Sequence, residues 1–149
     1  MIAEYLKYIK KFFSTISIEF RKKIILEIHA ADHCNLNCRG CSHYSPVAEP
    51  HFCNLDTLQK SMEKLSKFSD CFSYINILGG EPLLFHDICK MMRIVRQYML
   101  NNKIRLMTNG LLLTTPHRLP VDFWETCRKN NIMLSITPYP INIDYDEIK

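Results

Sequence analysis

No apolar run in this 149-residue chain is long enough to span a bilayer, so no membrane-spanning helix is expected. Charge is in short supply too. The formal net charge is +4, and all of it comes from residues 1–23, which hold six basic and two acidic side chains. The remainder carries 13 of each sign, so no basic surface for nucleic acid is expected. The even, dispersed cysteine set of a secreted disulfide framework is missing: there are seven cysteines, three of them crowded together. That usage points to a reducing compartment, the cytoplasm. No cleavable signal peptide, internal repeat or low-complexity tract is recognisable. With 47% apolar and 23% charged residues, the chain reads as one globular domain with a single core.

Local periodicity supplies the elements. Ile2, Leu6, Ile9, Phe13, Ile16 and Phe20 form the stripe of an amphipathic helix over residues 1–23. Its polar face is basic, which suits packing on the domain, a membrane surface or a partner. A core domain is expected over 24–149. Within it, "KIILEIHA" (23–30) has strand character and leads into a loop rich in cysteine and proline. Helices are expected over 55–68, with Asn54 or Asp56 as cap, over 87–100 and over 120–131. Further strands are expected at 74–82, 103–110 and 132–140. Strands alternating with helices imply a parallel sheet, with functional loops at the carboxyl ends of the strands. The cysteine loop, Gly79-Gly80-Glu81-Pro82, Thr108-Asn109-Gly110 and Thr137-Pro138 all follow strands, so four unusual stretches share one rim.

Cys34, Cys38 and Cys41 are spaced C-x3-C-x2-C, with no fourth cysteine at a matching interval. Three thiolates suit a metal centre with one position left open, either zinc or a 4Fe–4S cluster with one iron free. Spacing alone leaves zinc open, closed by His33, His43, His51 or Cys53.

The three-cysteine loop after strand one, "GGEP" after strand two and "TNG" after strand three resemble the radical S-adenosylmethionine superfamily, over roughly residues 24–140. The resemblance implies a partial parallel (βα) barrel of about four strands. It implies a 4Fe–4S cluster held by Cys34, Cys38 and Cys41, and S-adenosylmethionine on the open iron. Reductive cleavage of that cofactor yields a 5′-deoxyadenosyl radical, which abstracts hydrogen from a substrate. Gly79, Gly80, Glu81, Pro82, Thr108, Asn109 and Ser135 fall where the superfamily binds the cofactor, the glycines by close backbone approach and Glu81 near the ammonium. His43, Tyr44, His86 and Tyr139 are further candidate contacts. An electron donor of flavodoxin or ferredoxin type and a small-molecule, sugar or peptide substrate are expected with it.

Two features depart from the superfamily pattern. Gly40 stands where an aromatic residue often precedes the third cysteine, and only about four βα units fit where six are usual, at about 30 residues per unit. The competing expectations are a radical enzyme, a non-catalytic iron–sulfur or zinc module, and an inactive fragment of such an enzyme.

Overall fold

The computed structural model describes residues 24–139; the amphipathic stripe of residues 1–23 lies outside them. The chain forms β1 (Ile24–Ala31), α1 (Leu55–Leu65), β2 (Phe72–Gly79), α2 (Ile88–Tyr98), β3 (Lys103–Thr108), α3 (Phe123–Lys129) and β4 (Ile132–Ile136). The strands make one parallel sheet in the order β1-β2-β3-β4. This is the expected partial (βα) architecture, with each helix crossing from one strand to the next.

Period-two alternation sorts the strand residues onto two faces. Register aligns Leu26, Ile75, Ile104 and Ile132 in one row, and Ile28, Ile77, Leu106 and Leu134 in the next. These aliphatic rows form the core with the helices. Leu58 and Met62 of α1, the α2 residues Ile88, Met91, Met92 and Val95, and Phe123 and Cys127 of α3 are buried there. The methionine-rich face of α2 is therefore packing. Met91 and Met92 are both 0% exposed. Unbranched thioethers fill irregular gaps between sheet and helix.

Boundaries moved where tertiary packing overrode the local pattern. Helix α1 starts at its Asn54 cap, whose side chain accepts from the Thr57 amide at 2.9 Å. It stops at Leu65 rather than 68, continuing as a 3₁₀ turn over Ser66–Cys71 that is kinked at Phe68. A regular helix over 55–68 would put Phe68 on the same face as Leu58, Met62 and Leu65; beyond the kink it is 60% exposed. The carboxyl-terminal strand ends also stop early, β3 at Thr108 and β4 at Ile136, because their last residues turn into the rim loops.

Arg96 locks the opposite end. Its guanidinium donates to five backbone carbonyls, those of Met99, Leu100, Asn102, Asn130 and Asn131, at 2.7 to 3.1 Å. It joins the α2 exit, the approach to β3 and the α3–β4 turn. No helix among the described residues is long and apolar enough to cross a membrane.

Candidate functional site

The cavity at the carboxyl rim is built by all four strand exits. The β1 loop contributes Cys34, Leu36, Cys38, Cys41 and His43. Strand β2 adds Leu78, Gly79 and Gly80; β3 adds Met107, Thr108 and Asn109; the segment after β4 adds Thr137 and Tyr139. The convergence expected from sequence is thus physical. All seven cysteines are free thiols.

The two glycines hold the rim together by close backbone contact. Gly79 has φ of 144°, a region that side chains rarely adopt, and a Cβ there would collide with the Ala31 carbonyl. A Cβ on Gly80 would strike the His33 carbonyl and crowd the Cys34 amide. The Gly80 amide donates to the Ala31 oxygen at 2.8 Å, and the Glu81 amide donates to the His33 oxygen at 3.1 Å. The glycines therefore bring the β2 exit against the backbone that leads into Cys34, as well as lining the cavity.

Glu81 is placed differently from expectation. Its carboxylate is fully buried, is absent from the cavity lining and is already engaged. Oε1 accepts from the Thr108 hydroxyl at 2.7 Å and the Leu83 amide at 3.0 Å, and Oε2 accepts from the Asn109 amide at 2.9 Å. Burial pushes this carboxyl up, against the lowering effect of those three donors. Glu81 clamps the β2 exit to the β3 exit, outside the cavity lining. Pro82 is buried in a short 3₁₀ turn beside it, also outside the cavity. Ser135, paired in register with the cavity residue Met107, does not line the cavity either.

Asn109 connects the clamp to the cysteines. Its Nδ2 donates to Asn35 Oδ1 at 2.7 Å and lies 3.8 Å from Cys34 Sγ, while its Oδ1 accepts from the Leu111 amide at 3.0 Å. The Leu36 amide also donates to Cys34 Sγ at 3.4 Å. Burial pushes the Cys34 thiol up, opposed by those amide donors. At Cys41 burial also raises the thiol, but the nearby backbone of Ser45, His43 and Tyr44 outweighs it, and the net shift is downward. Tyr44 adopts φ of 55°, and its amide donates to the Cys41 carbonyl at 3.2 Å, which closes the turn after the third cysteine.

Three features fit a thiolate-ligated cluster here. The donor set is three sulfurs on one loop. Backbone and side-chain amides already point at the Cys34 sulfur, as they do where proteins tune cluster sulfur. Two buried polar atoms of the same loop, His33 Nδ1 and Ser45 Oγ, have no hydrogen-bond partner. Among the described residues no three His, Cys, Asp or Glu side chains converge on a single point, as a lone ion would require.

Residues 26–130 match the family model described as a 4Fe–4S single cluster domain. The chain belongs to that family. This bears out the assignment to the radical S-adenosylmethionine superfamily, and an iron–sulfur cluster replaces zinc as the metal reading. A GTP 3′,8-cyclase of Peptoclostridium acidaminophilum is 32% identical over 90 residues, which are 60% of this chain and 28% of that protein. An S-adenosylmethionine-dependent nucleotide dehydratase of Fibrobacter sp. (strain UWH6) is 26% identical over 95 residues, again 28% of its length. The chain thus matches little more than a quarter of these relatives. In fold, it is similar to BtrN solved in complex with AdoMet and 2-DOIA. The TM-score is 0.64 at 21% identity, covering 85% of this chain and 50% of that one.

Several cluster-domain residues at the cavity carried no decisive local signal. Leu78 and Met107 look like ordinary core positions, and only the meeting of the strand exits reveals that they line it with Leu36 of the cysteine loop. Tyr139 was one candidate contact among several; in the structure its phenol is pushed up by burial and by the neighbouring thiols of Cys38, Cys34 and Cys41. His86 lies outside this cavity, paired with Asp87 at 3.1 Å. Tyr44 points away, 74% exposed.

Proposed function

We propose that Cys34, Cys38 and Cys41 hold a 4Fe–4S cluster whose fourth iron takes S-adenosylmethionine, and that the chain performs radical chemistry on a substrate seated against the open face of the sheet. The observation that carries this reading is the meeting of the three-cysteine loop with Gly79, Gly80, Thr108, Asn109 and Tyr139 around one cavity at the strand ends. When bound, the cluster supplies one electron to the sulfonium, releasing methionine and a 5′-deoxyadenosyl radical that takes a hydrogen atom from the substrate.

The chain's own residues orient and exclude. Asn109 and the Leu36 amide fix the Cys34 sulfur, while bonds from the Cys41 amide to Cys38 and from the Tyr44 amide to Cys41 hold the Cys41 backbone. The Gly79–Gly80 edge offers backbone without side chains to the methionyl end of the cofactor. Leu36, Leu78 and Met107 make an apolar floor that limits water. Thr137 and Tyr139 close the fourth side. Free thiols and this redox chemistry suit a cytoplasmic setting with a flavodoxin- or ferredoxin-type donor.

The test is anaerobic reconstitution with iron and sulfide. It should give a brown protein that forms 5′-deoxyadenosine from S-adenosylmethionine and dithionite, read by liquid chromatography and mass spectrometry. Colourless protein with stoichiometric zinc would overturn the cluster assignment. A second reading is a cluster-binding unit without turnover. Brown protein that never yields 5′-deoxyadenosine would support that second reading.

A further inference from the structure

The sheet face turned away from the helices carries a charged row that the cysteine cavity does not use. Alternation puts Glu27 of β1, Tyr74 and Asn76 of β2, and Lys103 and Arg105 of β3 on this face. Register sets Glu27 opposite Asn76, Asn76 opposite Arg105, and Tyr74 opposite Lys103. Hydrogen bonds follow that register. Arg105 Nε donates to Asn76 Oδ1 at 2.9 Å, and Asn76 Nδ2 donates to Glu27 Oε1 at 3.4 Å. Asn76 is only 3% exposed, so it is a fixed post that holds the guanidinium in place.

The same guanidinium lies over the Tyr74 ring, its Cζ 4.1 Å from the centroid, and Lys103 Nζ approaches that ring at 5.4 Å. Two cations therefore share one aromatic ring. Among the described residues, no carboxylate lies within ion-pair distance of either. Only Nε of Arg105 is hydrogen-bonded among the described residues, which leaves both Nη groups as an open fork. A planar fork beside an ammonium matches an oxyanion in geometry and charge. Holding two like charges together costs free energy that no paired carboxylate among the described residues offsets and a bound anion would. Arg105 precedes the cavity residue Met107 by two positions, about 7 Å along the strand.

We propose that Arg105 and Lys103 form a recognition site for the anionic end of the substrate, a phosphate or carboxylate group, whose reacting part extends up to the cysteine cavity. The term substrate rests on the function proposed above; anion binding itself does not. The site is read on the full ¹⁵N-labelled chain by NMR, following Arg105 Nε–H and the Asn76 side-chain amide. Inorganic pyrophosphate and succinate are titrated separately, so that the tighter probe tells phosphate from carboxylate. Saturable shifts at both groups are expected. Affinity should fall about tenfold or more in Arg105→Gln and in Lys103→Met, and should weaken with added NaCl. Lys103 is exposed, so Lys103→Met decides the matter if Arg105→Gln fails to fold. Lys129→Met, which removes the partner of Glu125 on α3, serves as control and should bind as the unaltered chain does. No saturable shift from either probe, unchanged affinity in the folded variants, or an equal loss in Lys129→Met would each overturn the site. The measurement needs neither cluster nor S-adenosylmethionine, so its failure is separable from failure of the radical reading.

Discussion

Removing the Glu81 carboxylate should loosen the rim more than any other single change there. In Glu81→Ala, the buried amides of Leu83 and Asn109 lose their acceptor, and the Thr108 hydroxyl loses its own. Each stranded buried donor costs about 1–3 kcal/mol. The Thr108 hydroxyl can rotate and water can enter the space left behind, so the two amides dominate and a loss of about 3 kcal/mol is expected. That is a large share of the ~5–15 kcal/mol that stabilises a domain. Urea unfolding followed by circular dichroism measures it. Glu81→Gln keeps one oxygen, enough for Leu83 and Thr108, but can turn an amide nitrogen toward the Asn109 N–H, so it should lose roughly half as much. The pH profile adds an independent check. Burial raises the folded carboxyl above its ordinary value of 4.5, so the folded chain holds that proton more tightly than the unfolded chain does. Stability from this group is full below pH 4.5 and declines as pH rises through the folded value. Glu81→Gln should flatten that decline. A loss under about 1 kcal/mol in Glu81→Ala would refute the clamp, and an unchanged pH profile in Glu81→Gln would refute the raised carboxyl.

Gly80→Ala should push the His33 carbonyl and Cys34 amide aside; iron content after reconstitution should drop severalfold while circular dichroism keeps its folded form, and undiminished iron would count against the close-approach argument. Cys38→Ala should abolish the brown chromophore, yet change unfolding free energy by less than about 0.5 kcal/mol, because the side chain is only partly buried. Arg96→Met should cost about 3 kcal/mol in urea unfolding by freeing five carbonyls, and Arg96→Lys should restore only part of that, since an ammonium cannot span the five acceptors.

The alternation of elements was legible because each rests on local pattern. The stripe Ile88, Met91, Met92 and Val95 marks a helix face whatever surrounds it, and Asn54 caps α1 through a bond three residues away. Gly79-Gly80-Glu81-Pro82 was legible as a rim feature for the same reason, since glycine and proline punctuate strands. What each residue does there was less legible. Glu81 looked like a ligand contact because an acid at a strand end is normally exposed. Its burial depends on Thr108 and Asn109, which lie 27 and 28 positions further along the chain. Phe68 was misplaced because helix periodicity cannot sense the 3₁₀ kink imposed where α1 hands over to β2.

By itself, the sequence determined the element order, the parallel architecture, the helix-facing core and the three-thiol loop, since periodicity, capping and cysteine spacing act over a few residues. Only the tertiary structure decided that Glu81 is a clamp, that Gly79 and Gly80 admit the backbone leading to Cys34, and that Arg105 and Lys103 meet over Tyr74. Those facts follow from strand register, which brings together residues tens of positions apart, and no local pattern carries it.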